Sequence, residues 1–262
     1  TIISEILGVP EPDRHRILHL GELAAPSLDI GLTWAEFQRV ERGITEFNAW
    51  LHEHIRQLRR NEGDDLMSQL IRTSQDGEYL TDLELEATAG LVLAAGFETT
   101  VNLLGNGIRM LLEHPGQLAK LRERPDLWAN AVEEILRLDS PVQMTARVAR
   151  TDTSVDGQPV RRGQTIAVYL AAANRDPAVF TDPHRFDVER DNANRHLSFS
   201  GGRHFCLGAA LARAEGEAGL RTLFGRYPDI TLAGPGERRP TRVLRGWSSL
   251  PVSLGQTTTP SR

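Results

Sequence analysis

One segment concentrates residues able to do chemistry: Phe199-Ser200-Gly201-Gly202-Arg203-His204-Phe205-Cys206-Leu207-Gly208. Gly201 and Gly202 permit left-handed backbone angles and let the chain come close to a flat ligand. Cys206 is the one cysteine in 262 residues, so it has no internal disulfide partner. It stands just before a helical pattern that starts near Gly208, where helix amides and the macrodipole favour an anion. A thiolate there would be a strong donor to iron, with Arg203 and His204 as positive or hydrogen-bonding neighbours. The competing reading is a buried structural cysteine beside a glycine turn, because free cysteines are among the most buried side chains. A thiolate-rich zinc site would need further cysteines, which are missing.

A second polar group interrupts an apolar helical pattern: Ala95-Gly96-Phe97-Glu98-Thr99-Thr100. Gly96 weakens the helix, and Thr99 can bond back to a carbonyl one turn earlier. A carboxylate beside hydroxyls in such surroundings is costly unless it is satisfied or used. Either these groups serve a reaction, or Thr99 bonds its own backbone and Glu98 pairs with an arginine. Further along, Glu134 and Arg137 are three residues apart and share a helix face, where they can pair. Alone, that spacing describes an ordinary surface ion pair.

The elements that must carry these groups are legible in outline. Residues 1–20 read as helix broken at Gly8-Val9-Pro10. Over 33–60, Trp34, Phe37, Val40, Ile44, Phe47, Trp50, Leu51 and Ile55 recur at three- and four-residue steps, an amphipathic helix. A short helix follows at 66–72. Thr81-Asp82-Leu83-Glu84 is a capping box, and no proline follows until Pro115. The resulting central helix, 81–114, would be roughly 50 Å long, with an apolar centre buried on most faces. Short helices follow at 117–122 and 126–138. A period-two pattern over 145–170, with turns at Asp156-Gly157 and Arg162-Gly163, reads as a small β-sheet. Residues 174–194 are polar and irregular, 208–227 helical, 241–254 short strands, and 255–262 a disordered tail. The expected fold class is mainly α with small β-sheets, in one partial domain over 1–254 with no linker.

Composition is that of a globular chain: 40% hydrophobic, 25% charged, net charge −5. The negative balance argues against nucleic-acid binding. No secretory signal opens the chain, and the least charged apolar run, 87–97, is too short for a membrane span of about 20 residues. A lone cysteine agrees with a reducing cytoplasm.

The cysteine segment resembles the haem-binding loop of the cytochrome P450 family, Phe-Gly-x-Gly-x-His/Arg-x-Cys-x-Gly, with Ser200 in place of a glycine. Residues 95–100 resemble that family's oxygen-activation segment, Ala-Gly-x-Asp/Glu-Thr-Thr. Glu134-x-x-Arg137 matches in order, as does Arg185 in Asp182-Pro183-His184-Arg185-Phe186-Asp187. The resemblance implies a haem-thiolate monooxygenase with haem b (iron protoporphyrin IX), one per chain. It implies Cys206 as the proximal iron ligand, His204 and Arg147 on haem propionates, and Phe199 near the thiolate. Gly202 and Gly208 would shape the loop, and Gly96 would make room beside the haem. It implies Thr99 and Glu98 as the groups that bring protons to dioxygen. Glu134, Arg137 and Arg185 would form a structural ion-pair triad, with Arg190 as second choice for the third member. Val92, Ala95, Val142, Met144 and Trp247 are expected to line a pocket for a small apolar organic substrate. Electrons would come from a ferredoxin or flavoprotein, with neither nucleic acid nor membrane as partner. Family members are longer at the N-terminal side, so the resemblance also implies a chain lacking its early portion. The alternative is a truncated, non-catalytic remnant with or without haem.

Overall fold

The computed structural model describes residues 2–61, 63–75 and 80–255. The chain divides into two compact units, Thr1–Thr99 and Thr100–Arg262. The boundary falls inside one continuous helix, which is why no linker marks it in the sequence.

In the first unit, helices α1 (Ile2–Ile6), α2 (Arg14–Ala24), α3 (Trp34–Leu58) and α4 (Leu66–Gln75) lead to α5 (Asp82–Glu113). Gly8 turns the chain between α1 and α2 with φ 65°, a left-handed value that glycine adopts without strain. A capping box opens α3: Thr33 Oγ1 accepts from the Glu36 amide, and Glu36 accepts from the Thr33 amide. Its apolar stripe buries Val40, Phe47, Trp50, Leu51 and Ile55. Phe47, Trp50, Leu51 and Ile55 join a core with Leu7, Ile17, Leu20, Met67, Ile71, Leu85 and Leu93. The same capping device opens α5. Glu84 accepts from the Thr81 amide at 2.8 Å, and the Glu84 amide donates to Thr81 Oγ1 at 3.3 Å. The Thr81 amide first, and then the Thr81 hydroxyl donating to the same carboxylate at 2.8 Å, hold the Glu84 carboxyl below its ordinary value.

Helix α5 is 32 residues long, close to the expected span, but it is not buried all round. Leu83, Leu91 and Val101 are exposed. By length and composition alone it could cross a membrane. In its later half, however, Leu103 and Leu111 enter the core of the second unit. The apolar residues spread round the whole helix, while its described neighbours cover only part of its circumference.

In the second unit the later half of α5 packs with α6 (Pro115–Glu123), α7 (Trp128–Leu138) and α9 (Ala209–Arg226) around Leu103, Leu121, Trp128, Ile135, Leu220 and Phe224. Close approach is allowed where side chains are missing. A Cβ on Gly107 would lie 2.9 Å from Leu220 Cδ1, and one on Gly216 would lie 3.1 Å from both Leu103 and Val132. After α7, strand β1 (Thr145–Val148) pairs antiparallel with β4 (Thr165–Val168), and β2 (Thr153–Val155) pairs with β3 (Gln158–Val160). The turns fall where the Asp-Gly and Arg-Gly pairs suggest, with Asp156, Gly157 and Gly163 at positive φ. A short helix α8 (Leu170–Ala173) follows. The C-terminal strands are β7 (Trp247–Ser249) and β8 (Val252–Ser253). Their partners, β6 (Glu237–Arg238) and β5 (Thr231–Leu232), are two residues long, too short to show a period in sequence. Of the tail expected to be disordered, 256–262 lies outside the described residues.

The irregular stretch after α8 is organised by one buried pair. Arg137 and Glu134 have side chains with 0% exposure and meet in a bidentate contact at 2.6 and 2.8 Å. The guanidinium also donates to the carbonyls of Asn174, Pro183 and Arg185 and lies over the Phe180 ring. The third charge is Arg190, not Arg185. Arg190 Nε reaches Glu134 at 3.1 Å, and its other nitrogens donate to the carbonyls of Thr181, Asp182 and Arg185. Arg185 contributes its carbonyl, while its side chain points out to Asp187 at 3.2 Å. The chain turns at Asp182 with φ 46°, and its carbonyls then face the two inner guanidiniums.

Removing one member of a buried pair strands the other. Arg137→Met should therefore lower unfolding stability by about 3–5 kcal/mol, seen as lost soluble protein or a collapsed denaturation midpoint. Arg185→Met should change it by less than about 0.5 kcal/mol. Equal effects of the two substitutions would contradict this assignment.

Candidate active site

The cysteine loop is anchored at one end and open at the other. His196, Ser198 and Phe199 are buried, whereas every residue from Gly201 to Gly208 is exposed. The anchor is made of polar contacts. Ser198 Oγ donates to the Leu136 carbonyl at 2.7 Å and accepts from Asn174 Nδ2 at 2.8 Å. Asn174 Oδ1 accepts from the Leu197 amide at 2.6 Å. Beyond it the chain turns back on itself: the Cys206 amide donates to the Phe199 carbonyl at 2.9 Å. Ser200 and Gly202 both have positive φ, at 59° and 61°, so the reversal needs two left-handed residues. Gly202–His204 forms a single 3-10 turn, and α9 begins at Ala209 with Gly208 as its N-cap.

Cys206 is therefore an exposed thiol at the start of a helix, not a buried structural cysteine. Phe205 and Leu207 flank it with 54% and 83% of their surface exposed. Large apolar side chains presented around an exposed sulfur suit a flat apolar ligand better than bulk water. The positive end of the α9 dipole favours negative charge on that side. His204 is exposed on the same loop.

The structure brings Arg147 to this loop. It sits on β1 opposite Ile166, part-buried. Its guanidinium donates to Thr145 Oγ1 at 2.9 Å, to the Ala146 carbonyl at 2.8 Å and to Ser200 Oγ at 3.2 Å. All three acceptors are neutral, and no carboxylate pairs with it among the described residues, so its charge is available to an anion.

Behind Phe199 lies a layer that the sequence did not single out. His196 Nδ1 accepts from the Ser198 amide at 3.1 Å, and its Nε2 is 2.9 Å from Glu133. A ring accepting at Nδ1 carries its proton on Nε2, which then donates to the carboxylate. Arg213 from α9 also binds Glu133, at 2.5 Å, and stacks its guanidinium 4.6 Å from the Phe199 ring centre. Burial pushes the Glu133 carboxyl up, but the hydrogen bonds from His196 and Arg213, with the Arg213 charge, outweigh it and hold the group below its ordinary value. The one visible signal was Glu133 itself, a second carboxylate beside Glu134.

Residues 95–99 of the central-helix segment belong to the first unit, and Thr100 opens the second. Helix α5 runs through it without a break. Thr99 Oγ1 donates to the Ala95 carbonyl at 2.9 Å, the local bond that sequence reading offered as the alternative. Glu98 is buried, with 4% exposure. Gly96 does not leave open space: a Cβ there would lie 3.2 Å from Ile3, so helix α1 fills the gap expected for a cofactor. The five residues expected to line a pocket are placed as follows. Val92 packs partly against the first unit's core, and Ala95 is exposed. Val142 bridges to Leu244, and Met144 is part-buried just before β1. Trp247 is a correction: the Arg238 guanidinium covers its ring at 3.7 Å, with Arg109 at 5.4 Å, so its indole is taken up by packing. None of the five lines either of two cavities found among the described residues.

Comparison with known proteins agrees with this geometry. The family model described as cytochrome P450 matches residues 14–232. Cytochrome P450 140 of Mycobacterium tuberculosis is 68% identical over 257 residues, covering 97% of this chain and 59% of that protein. The cytochrome P450 monooxygenase PikC of Streptomyces venezuelae is 43% identical over 258 residues, covering 96% of this chain and 60% of that protein. Among solved structures, P450BioI in complex with acyl carrier protein ligated to hexadec-9Z-enoic acid superposes with a TM-score of 0.91 at 40% identity, over 96% of this chain and 65% of that one. The chain thus spans about three-fifths of the length of the curated relatives it matches. Its helical architecture, its cysteine loop and these matches together make it a member of the cytochrome P450 family, whose enzymes are oxidoreductase monooxygenases that bind one haem b per chain.

Proposed function

We propose that this chain is the haem-carrying part of a monooxygenase that inserts one oxygen atom of O2 into an apolar organic substrate. The observation that carries this reading is the exposed Cys206 on an anchored loop, flanked by apolar side chains and by an arginine with no acidic partner among the described residues. Those features fit a haem b. Cys206 would ligate the iron, Phe205 and Leu207 would meet the macrocycle, and Arg147 and His204 would hold the propionates. Bound there, the haem would activate oxygen, helped by electron density from the thiolate.

The chain's own residues then have separable tasks. The Phe199 carbonyl holds the Cys206 amide and so fixes the loop that presents the sulfur. Phe199, held under Arg213, shields the inner side of that loop from water. Thr99 commits its proton to the Ala95 carbonyl, so its oxygen offers lone pairs to a water or a protonated group beside it. Glu98, buried one residue earlier, is the proton source along the same helix. PikC is described as a monooxygenase, and another relative, 42% identical, as 6-deoxyerythronolide B hydroxylase of Saccharopolyspora erythraea. Such relatives support oxidation of an organic molecule. The two electrons would come from a ferredoxin or flavoprotein in a reducing cytoplasm.

Because Cys206 is exposed, Cys206→Ala should shift the unfolding stability of the haem-free chain by less than about 0.5 kcal/mol. The same substitution should abolish the thiolate signature in haemin titrations followed by absorbance. Thr99→Ala should keep haem but lower product formed per NADPH by about tenfold or more, with electrons diverted to hydrogen peroxide. Unchanged coupling in Thr99→Ala would remove Thr99 from the mechanism. A wild-type chain that never takes up haemin would favour a non-catalytic remnant.

A further inference from the structure

Ser200 stands where the family's loop pattern has glycine, and its backbone shows why glycine suits the position. Its φ is 59°, in the left-handed region that is unfavourable for a residue with a Cβ. The other described non-glycine residues at positive φ are Asp156 and Asp182, of a type that tolerates this region better. The conformation is held from both sides. The Ser200 amide donates to the Leu197 carbonyl at 2.8 Å, and the next link of the loop closes from Cys206 to Phe199 at 2.9 Å. A small side chain placed there only for its size would carry the strain with nothing in return. This one has a contact: Ser200 Oγ accepts from Arg147 Nη2 at 3.2 Å across 53 residues of chain.

We infer that Ser200 is a positioning residue for Arg147, trading loop strain for a pre-set guanidinium at the edge of the cysteine loop. The inference rests on the reading that Arg147 meets a haem propionate. Strand pairing fixes only the Arg147 backbone, opposite Ile166. The side chain has several rotatable bonds, and each freed rotor must be ordered again when an anion binds. Thr145 and Ala146, its neighbours on the same strand, hold Nη1. Ser200 is the contact that ties Nη2 to the loop carrying Cys206. Because the three acceptors are neutral, they orient the guanidinium without neutralising it, and its charge stays available to a carboxylate.

Strain and contact act on different quantities, and substitution separates them. Ser200→Gly removes both the Cβ strain and the hydroxyl. Ser200→Ala removes the hydroxyl and keeps the Cβ. The measurements are the denaturation midpoint of the haem-free chain and the rate of haem transfer to excess apomyoglobin. Haem release should speed up by about three- to tenfold in both variants, while the haem-free midpoint should be unchanged or higher in Ser200→Gly and unchanged or lower in Ser200→Ala. In an Arg147→Met background, Ser200→Gly should no longer change haem release. Wild-type release rates in Ser200→Gly would overturn the inference. So would release rates that follow the midpoint, or an undiminished effect without Arg147. A wild-type chain that takes up no haem fails before any variant is compared, which marks the failure as that of the underlying reading.

Discussion

The contact on which the second unit depends is the buried pair of Glu134 and Arg137. Two fully buried charges are expensive, and their mutual attraction repays the cost only when the remaining donors and lone pairs are also used. Here they are. Arg137 spends its donors on Glu134 and on three carbonyls of the irregular stretch, and Glu134 takes the Asp187 amide and Arg190 in addition. A segment without regular secondary structure cannot satisfy its own carbonyls by repetition. The pair supplies what a helix or sheet would have supplied. Asn174 then transmits the order: its carbonyl is held by Arg137, and its side chain holds Leu197 and Ser198 at the root of the cysteine loop.

Rigid support beneath an exposed loop explains the division of labour around Cys206. The buried residues His196, Ser198 and Phe199 are tied by hydrogen bonds and by the Glu133–Arg213 ion pair. The loop that follows spends almost no surface on the rest of the protein. An open sulfur with apolar neighbours would be a liability unless something covered it. On the proposed function the covering group would be the haem, and the loop would serve a ligand rather than its own packing.

Much of this was legible in sequence because it is local. The cysteine loop, the capping box at Thr81, the glycine turns of the small sheets and the spacing of Glu134 and Arg137 each lie within a few residues. What was not legible depends on distant parts of the chain. Arg185 and Arg190 are both plausible third charges by position. The turn at Asp182 decides between them, by directing the Arg185 carbonyl inward and its side chain out. Gly96 looked like space for a cofactor, but Ile3, over ninety residues earlier, occupies it. Trp247 looked like a pocket wall until Arg238 was seen to cover it. Asn174, His196 and Arg213 are polar residues whose role comes only from the buried partners they meet. In sequence Ser200 is only a serine in place of a glycine; its positive φ and its bond to Arg147 appear only in three dimensions.

The central claim is that Cys206 holds iron as a thiolate. The most direct measurement is the absorption spectrum of the purified, haem-loaded chain, reduced with dithionite, before and after carbon monoxide. A strongly red-shifted Soret band in the wild-type chain, lost in Cys206→Ala, is the predicted result. A haem-loaded chain whose carbon monoxide spectrum lacks that shift, or is the same with alanine at 206, would contradict it.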